Sequence, residues 1–239
     1  MAPDTFERLT SDIIACRKCP RLVRYREAVA RTKRASFRDW TYWGRPVPGF
    51  GDPRARMLVL GLAPAAHGGN RTGRVFTGDR SGEWLYRALH RAGFANQPTS
   101  ESRDDGLALH DCYIAAAVRC APPQNKPTVS EFVRCQPYLE RTIALLPNLR
   151  VVVALGAVAM NSFLRAWHVL GHEVGSPKPR FRHAGTWSLL PITLIASYHP
   201  SQRNTQTGLL TEAMFDRIFD AARTRLSTAT QVSRPSRIR

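Results

Sequence analysis

Four short runs, at residues 56–61, 112–118, 150–155 and 192–197, are largely apolar past the leading Arg56 and Arg150, without the alternation of a half-exposed strand. Hydrophobicity of that kind predicts strands covered on both faces, the habit of a parallel sheet. Between them the apolar residues recur at helical spacing. Trp84, Leu85, Ala88 and Leu89 share one face of a helix expected over 81–92, and Phe132, Val133, Leu139 and Ile143 do the same over 130–146. A third helix, 157–167, follows the third strand directly. A fourth, 208–226, closes the chain with Leu210, Met214, Phe215, Ile218 and Phe219. Strands alternating with helices, and no internal repeat, predict an open α/β sandwich. Such sheets bind ligands at the carboxyl ends of their strands. Attention therefore falls on residues 61–65, 119–123, 156–157 and 198–201.

A chain of 239 residues suits one large domain, expected over 1–226. Residues 227–239 are rich in Ser, Thr and Arg and have no acid, so a disordered basic tail is expected there. Met1 to Thr10 carries Asp4, Glu7 and Arg8 where a signal peptide needs an apolar run. The longest uncharged stretch, 184–202, is broken by Gly185, Pro191 and His199, so no membrane span is expected. The protein is expected in the cytoplasm, with reduced thiols. Lys and Arg number 35 against 18 Asp and Glu, a net charge of +17. That charge attracts polyanions, nucleic acid among them.

Reduced thiols point away from a disulfide framework. Cys16 and Cys19 form a C-x2-C pair; Cys120 and Cys135 form a second, wider pair. Two thiolates from one turn can hold one centre, and four suit either zinc or an iron–sulfur cluster. Arg17, Lys18, Arg21, Arg119 and Arg134 could offset the negative charge. Cys112, in a strand, reads as buried filler.

The first strand runs into a loop, residues 61–79, with glycines at 61, 68, 69, 73 and 78. It has neither the G-K-[ST] of a P-loop nor a G-x-G-x-x-G in register. Asp79 stands just before the helix, where it either caps or does chemistry. Phe76 is either core or a platform for a planar ring. After the last strand, His199 is held by Pro200 in Ser197-Tyr198-His199-Pro200-Ser201. The remaining six histidines show no metal-ligand spacing.

Taken together, Gly61-Leu62-Ala63-Pro64-Ala65, the Asn70 to Asp79 segment, the two separated cysteine pairs and His199-Pro200-Ser201 resemble the uracil-DNA glycosylase superfamily, family 5 most closely. These motifs reach from Cys16 to Ser201, most of the chain. The resemblance implies a three-layer α/β/α sandwich around a four-stranded parallel sheet. It implies a [4Fe–4S] cluster on Cys16, Cys19, Cys120 and Cys135, structural and not redox-catalytic. The implied activity flips uracil, and other deaminated bases such as hypoxanthine, out of DNA and hydrolyses the N-glycosidic bond. Partners would be double-stranded and also single-stranded DNA, with the protein a monomer.

In that reading Asp79 positions water and stabilises a cationic sugar, and His199 donates to the departing base. Phe76 stacks on the base, Asn125 reads its edge, and Gly61 and Ala63 join them as substrate-binding residues. Ala63 stands where many superfamily members have a polar residue, which is why the water falls to Asp79. Arg71, Arg74, Arg119 and Arg203 are the phosphate candidates, and Gln202, Arg203 and Asn204 supply the wedge. The rivals are a zinc-stabilised nucleic-acid-binding module without catalysis, and a nucleotide-binding enzyme using the Gly-rich loop.

Overall fold

The computed structural model describes residues 3–232. A six-stranded sheet runs in the order β1 (Phe50–Gly51), β3 (Cys112–Ala116), β2 (Met57–Gly61), β4 (Val151–Leu155), β6 (Ile192–Ser197), β5 (Thr186–Leu189). The inner four are parallel; β1 and β5 add antiparallel edges. The expected four-stranded parallel sheet is thus the centre of a mixed one. The edge strands were not foreseen, because two and four residues carry too little pattern to read.

Alternate residues of each inner strand feed opposite cores. Met57, Val59, Val151, Val153 and Ile195 pack on one face, with α4 (Arg80–Arg91) and α8 (Glu212–Val232). Leu58, Leu60, Val152, Ala154 and Leu194 pack on the other, with α5 (Val129–Ala144) and α6 (Ala157–Val169). This is the three-layer sandwich, and double-sided burial explains the unbroken hydrophobicity of the strands. Cys112 is fully buried within the first core. α8 runs to Val232, and the rest of the expected tail, 233–239, lies outside the described residues.

Two helices ahead of the sheet were also missed. α1 (Phe6–Ala15) is capped by Thr5, and α2 (Pro20–Thr32) begins with Pro at its first turn. Leu9, Ile13 and Leu22 form a third, smaller core with Val118, Cys120, Cys135 and Tyr138. Two short helices, α3 (Gly69–Thr72) and α7 (Gln202–Gln206), lie in the loops after β2 and β6. The chain leaves β2 to one side for β3 and returns to the other for β4, so the switch point flanks β2.

Candidate active site

A cavity of about 740 Å³ opens at that switch point. The loop after β2 supplies Leu62 to Gly68 and then Phe76 and Asp79; β3 ends at Ala116; the turn beyond it brings Gln124 and Asn125; the loop after β6 brings His199. Residues far apart in the chain meet because parallel strands end on one rim.

Asp79 makes two contacts there. Its Oδ1 accepts from Gly82 N–H at 3.0 Å, capping α4. Its Oδ2 lies against Gly68, where a Cβ would collide with it. Burial raises its pKa; hydrogen bonds from Gly82 and Ser81 oppose that rise. The cap therefore uses one carboxylate oxygen and leaves the other on the Gly68 side of the cavity wall.

His199 lies with its ring centroid 5.8 Å from that of Phe76, the planes 31° apart. Its imidazole has no hydrogen-bond partner among the described residues. Burial lowers its pKa to about 4, so the ring is neutral at ordinary pH and one ring N–H is a donor. Its carbonyl is held by Asn204 Nδ2 at 2.8 Å. Next to it, Tyr198 stacks on His183 (4.9 Å, 7°) and donates its backbone N–H to Nδ1 of that ring.

Phe76 adopts φ +52°, a conformation uncommon for a bulky side chain. Gly61 makes room for it: a Cβ there would stand 2.6 Å from Phe76 Cζ. Gln124 and Asn125 are left-handed too, at φ 53° and 56°. Left-handed backbone is thus gathered at three residues lining the cavity. Asn125 is exposed, and its amide makes no bond among the described residues.

Three of the four phosphate candidates need correction. Arg71 is 3% exposed: it donates to the carbonyls of His67 and Gly78 and lies under the rings of Phe37 and Trp40 (3.9 and 4.1 Å). Arg74 is 4% exposed and is paired with Asp105 at 2.7 Å, with bonds to Thr77 and Ser100. Arg119 is 1% exposed and bonds Thr142 at 2.8 Å. Committed inward, these guanidiniums brace loops and cannot reach DNA. Arg203 and Gln202 are exposed on the cavity rim, and Asn204 is half-buried beneath them. Tyr25, Arg34, Phe37, His67 and Arg80 also line the cavity and were not singled out. Only the glycines around His67 could have drawn attention to it.

The family model of the uracil DNA glycosylase superfamily matches residues 48–223. The chain belongs to that superfamily. A protein of Mycobacterium tuberculosis named Type-5 uracil-DNA glycosylase is 52% identical over 217 residues, 90% of this chain and 80% of its own. Those of Thermus thermophilus and Pyrobaculum aerophilum with the same name are 51% identical (87% and 93% covered) and 44% identical (86% and 87% covered). A Type-4 uracil-DNA glycosylase of Pyrobaculum aerophilum is 27% identical over 196 residues, 82% of each chain. These matches give the zinc-module rival no support.

A second, smaller cavity is lined by Cys16, Cys19, Cys120 and Cys135 with Leu22, Val23, Val118 and Tyr138. Cys16 caps the end of α1, Cys19 precedes α2, Cys120 follows β3, and Cys135 lies on α5. Burial pushes Cys120 up to about 12 and Cys135 up to about 11, partly offset by Arg26 and Arg119; the neighbouring thiols add to both rises. Arg26 Nη1 is 3.5 Å from Cys120 Sγ, and Arg119 N–H donates to Cys135 Sγ at 3.2 Å. Both arginines are buried; Arg26 Nη2 lies 3.7 Å from a Glu27 carboxylate oxygen, and Arg26 Nε and Arg119 Nε and Nη1 have no hydrogen-bond partner among the described residues. Among the described residues, no three His, Cys, Asp or Glu side chains are disposed to hold a single metal ion.

Proposed function

We propose that this chain is a monofunctional uracil-DNA glycosylase, which extrudes uracil from DNA and hydrolyses its N1–C1′ bond to leave an abasic site. The convergence of Asp79, Phe76 and His199 on one cavity, in a chain of this superfamily, carries the reading. Extrusion costs a few kcal/mol, and stacking on Phe76 offsets part of it. Asn125 offers a donor and an acceptor to the base edge, matching N3–H and O4 of uracil.

As the bond breaks, its electron pair leaves with the base and positive charge spreads over the sugar. His199, neutral, donates to the anionic base where the charge develops. Asp79 faces the sugar, stabilises it electrostatically and accepts a hydrogen bond from the water that adds to C1′. Burial makes its carboxylate a stronger base, which suits that task. Hypoxanthine and other deaminated bases are further substrates in this reading, and the wedge comes from Gln202, Arg203 or Asn204. The protein acts in the cytoplasm as a monomer, on duplex and single-stranded DNA. The test is a duplex with one deoxyuridine: alkali-labile abasic sites are expected, and none against any opposing base would sink the reading.

The four thiols also fit a [4Fe–4S] cluster, held by Cys16, Cys19, Cys120 and Cys135. Two observations support it: the thiols line one narrow apolar cavity, and two buried guanidiniums beside them have unpartnered N–H groups. Arg119 has no carboxylate partner among the described residues and Arg26 reaches only Glu27, at 3.7 Å; buried cations so placed call for more nearby negative charge, which a thiolate-held cluster would supply along with a covalent tie between α1, α2, β3 and α5. Brown protein with iron and acid-labile sulfide is expected; a colourless, active, iron-free protein would refute this.

A further inference from the structure

His67 lines the cavity, yet the chemistry above gives it no task. Its Nδ1 lies 3.0 Å from Oη of Tyr42, and the two rings meet edge-on, 6.0 Å apart. Tyr42 is buried and its hydroxyl has no second partner among the described residues. Were Nδ1 the donor, the phenolic proton would be left buried without an acceptor, a costly state. The phenol therefore donates to Nδ1, which places the imidazole proton on Nε2. Burial, then Arg34 and Arg71 nearby, disfavours a second proton on this ring. Nε2 has no partner among the described residues.

On the same wall, Arg34 is exposed and its guanidinium makes no hydrogen bond or ion pair among the described residues. The charged groups acting on His67 are both cationic. The acid of the cavity, Asp79, has one oxygen on Gly82 and the other against Gly68. A fixed N–H donor and a free guanidinium side by side fit an anionic oxygen.

We propose that His67 Nε2–H and Arg34 form a subsite for one backbone phosphate next to the extruded nucleotide, and that Tyr42 is a positioning residue fixing the His67 tautomer. This rests on the cavity being the pocket for that nucleotide. The experiment reads binding, so that it stands apart from uracil release. Fluorescence anisotropy with the full chain would compare a duplex holding a tetrahydrofuran abasic analogue with two in which the 5′ or the 3′ flanking phosphate is a neutral methylphosphonate. Wild type should bind one of the two roughly tenfold more weakly than the all-phosphate duplex. His67→Ala and Arg34→Ala should bind the all-phosphate duplex more weakly and lose most of that discrimination. His67→Gln, which keeps an N–H donor, should recover part of it, and Tyr42→Phe should fall between. Equal binding of all three duplexes by wild type, or full discrimination retained by His67→Ala, would overturn the subsite. Uracil release by wild type, scored separately, bears on the glycosylase reading alone.

Discussion

Gly68 and Asp79 are in direct contact: a methyl group on Gly68 would overlap Oδ2 of the carboxylate. The loop after β2 therefore sets the position of Asp79 by what it omits. Gly68→Ala should push that oxygen off the cavity wall and lower kcat about a hundredfold, the usual cost of misplacing a reacting group by an ångström. Single-turnover rates with deoxyuridine duplex would show it, alongside a circular-dichroism spectrum unchanged from wild type.

Asp79→Asn separates the two jobs of this side chain. Asn is as good an N-cap as Asp, so stability should stay within about 1 kcal/mol. The rate should fall by roughly 10² to 10⁴. An Asn variant at full speed would reduce Asp79 to a helix cap.

The two shifted groups act on stability in opposite senses. His199 is held down to about 4, against an ordinary 6.5. Across that window the unfolded chain binds more protons, so this contribution is lost as pH falls from about 6.5 to about 4. Asp79 is raised above its ordinary 3.8, so the native state holds its proton longer, and that contribution is lost as pH rises through the raised value. For the rate, the acid limb belongs to Asp79 and should lie above pH 3.8. A kcat/KM profile should keep that limb in His199→Ala, on a lower plateau, and lose it in Asp79→Asn.

The arginines divide by where they point. Arg71→Ala removes two carbonyl anchors and a cation packed on two rings, and should destabilise the fold by about 2–4 kcal/mol in urea titrations. Arg203→Ala should leave stability alone, weaken DNA binding uniformly across sequences and reduce the salt slope by about 1.

Cys120→Ser should lower iron content and thermal stability together, since Cys120 joins β3 to the cavity shared with α1, α2 and α5. A stable variant with full iron would remove Cys120 from the ligand set.

The four inner strands and their flanking helices were legible because double-sided burial writes itself as unbroken apolar runs, as in Val151–Leu155. Asp79, Phe76 and His199 were legible because strand ends announce the rim. Burial of arginine was not. Arg71 and Arg74 stand in a glycine-rich loop that reads as exposed, and only the folded loop turns them inward onto carbonyls and Asp105. Arg119 next to a thiol invited a surface role, yet it follows β3 into the interior. Tyr42 and His67 are 25 residues apart with no shared motif, so their pairing appears only in three dimensions. α2 was hidden by its charge: Arg21, Arg24, Arg26 and Glu27 mask an apolar edge whose buried apolar residues are Leu22 and Val23.

The neutral state of His199 bears on which lesions this pocket would process. An uncharged imidazole stabilises an anion less than an imidazolium would, and a chamber of about 740 Å³ is roomier than one pyrimidine requires. On the glycosylase reading, discrimination would then fall less on shape than on the intrinsic acidity of the departing heterocycle: a base that readily carries negative charge should be excised, and one that does not should be released intact, however well it fits.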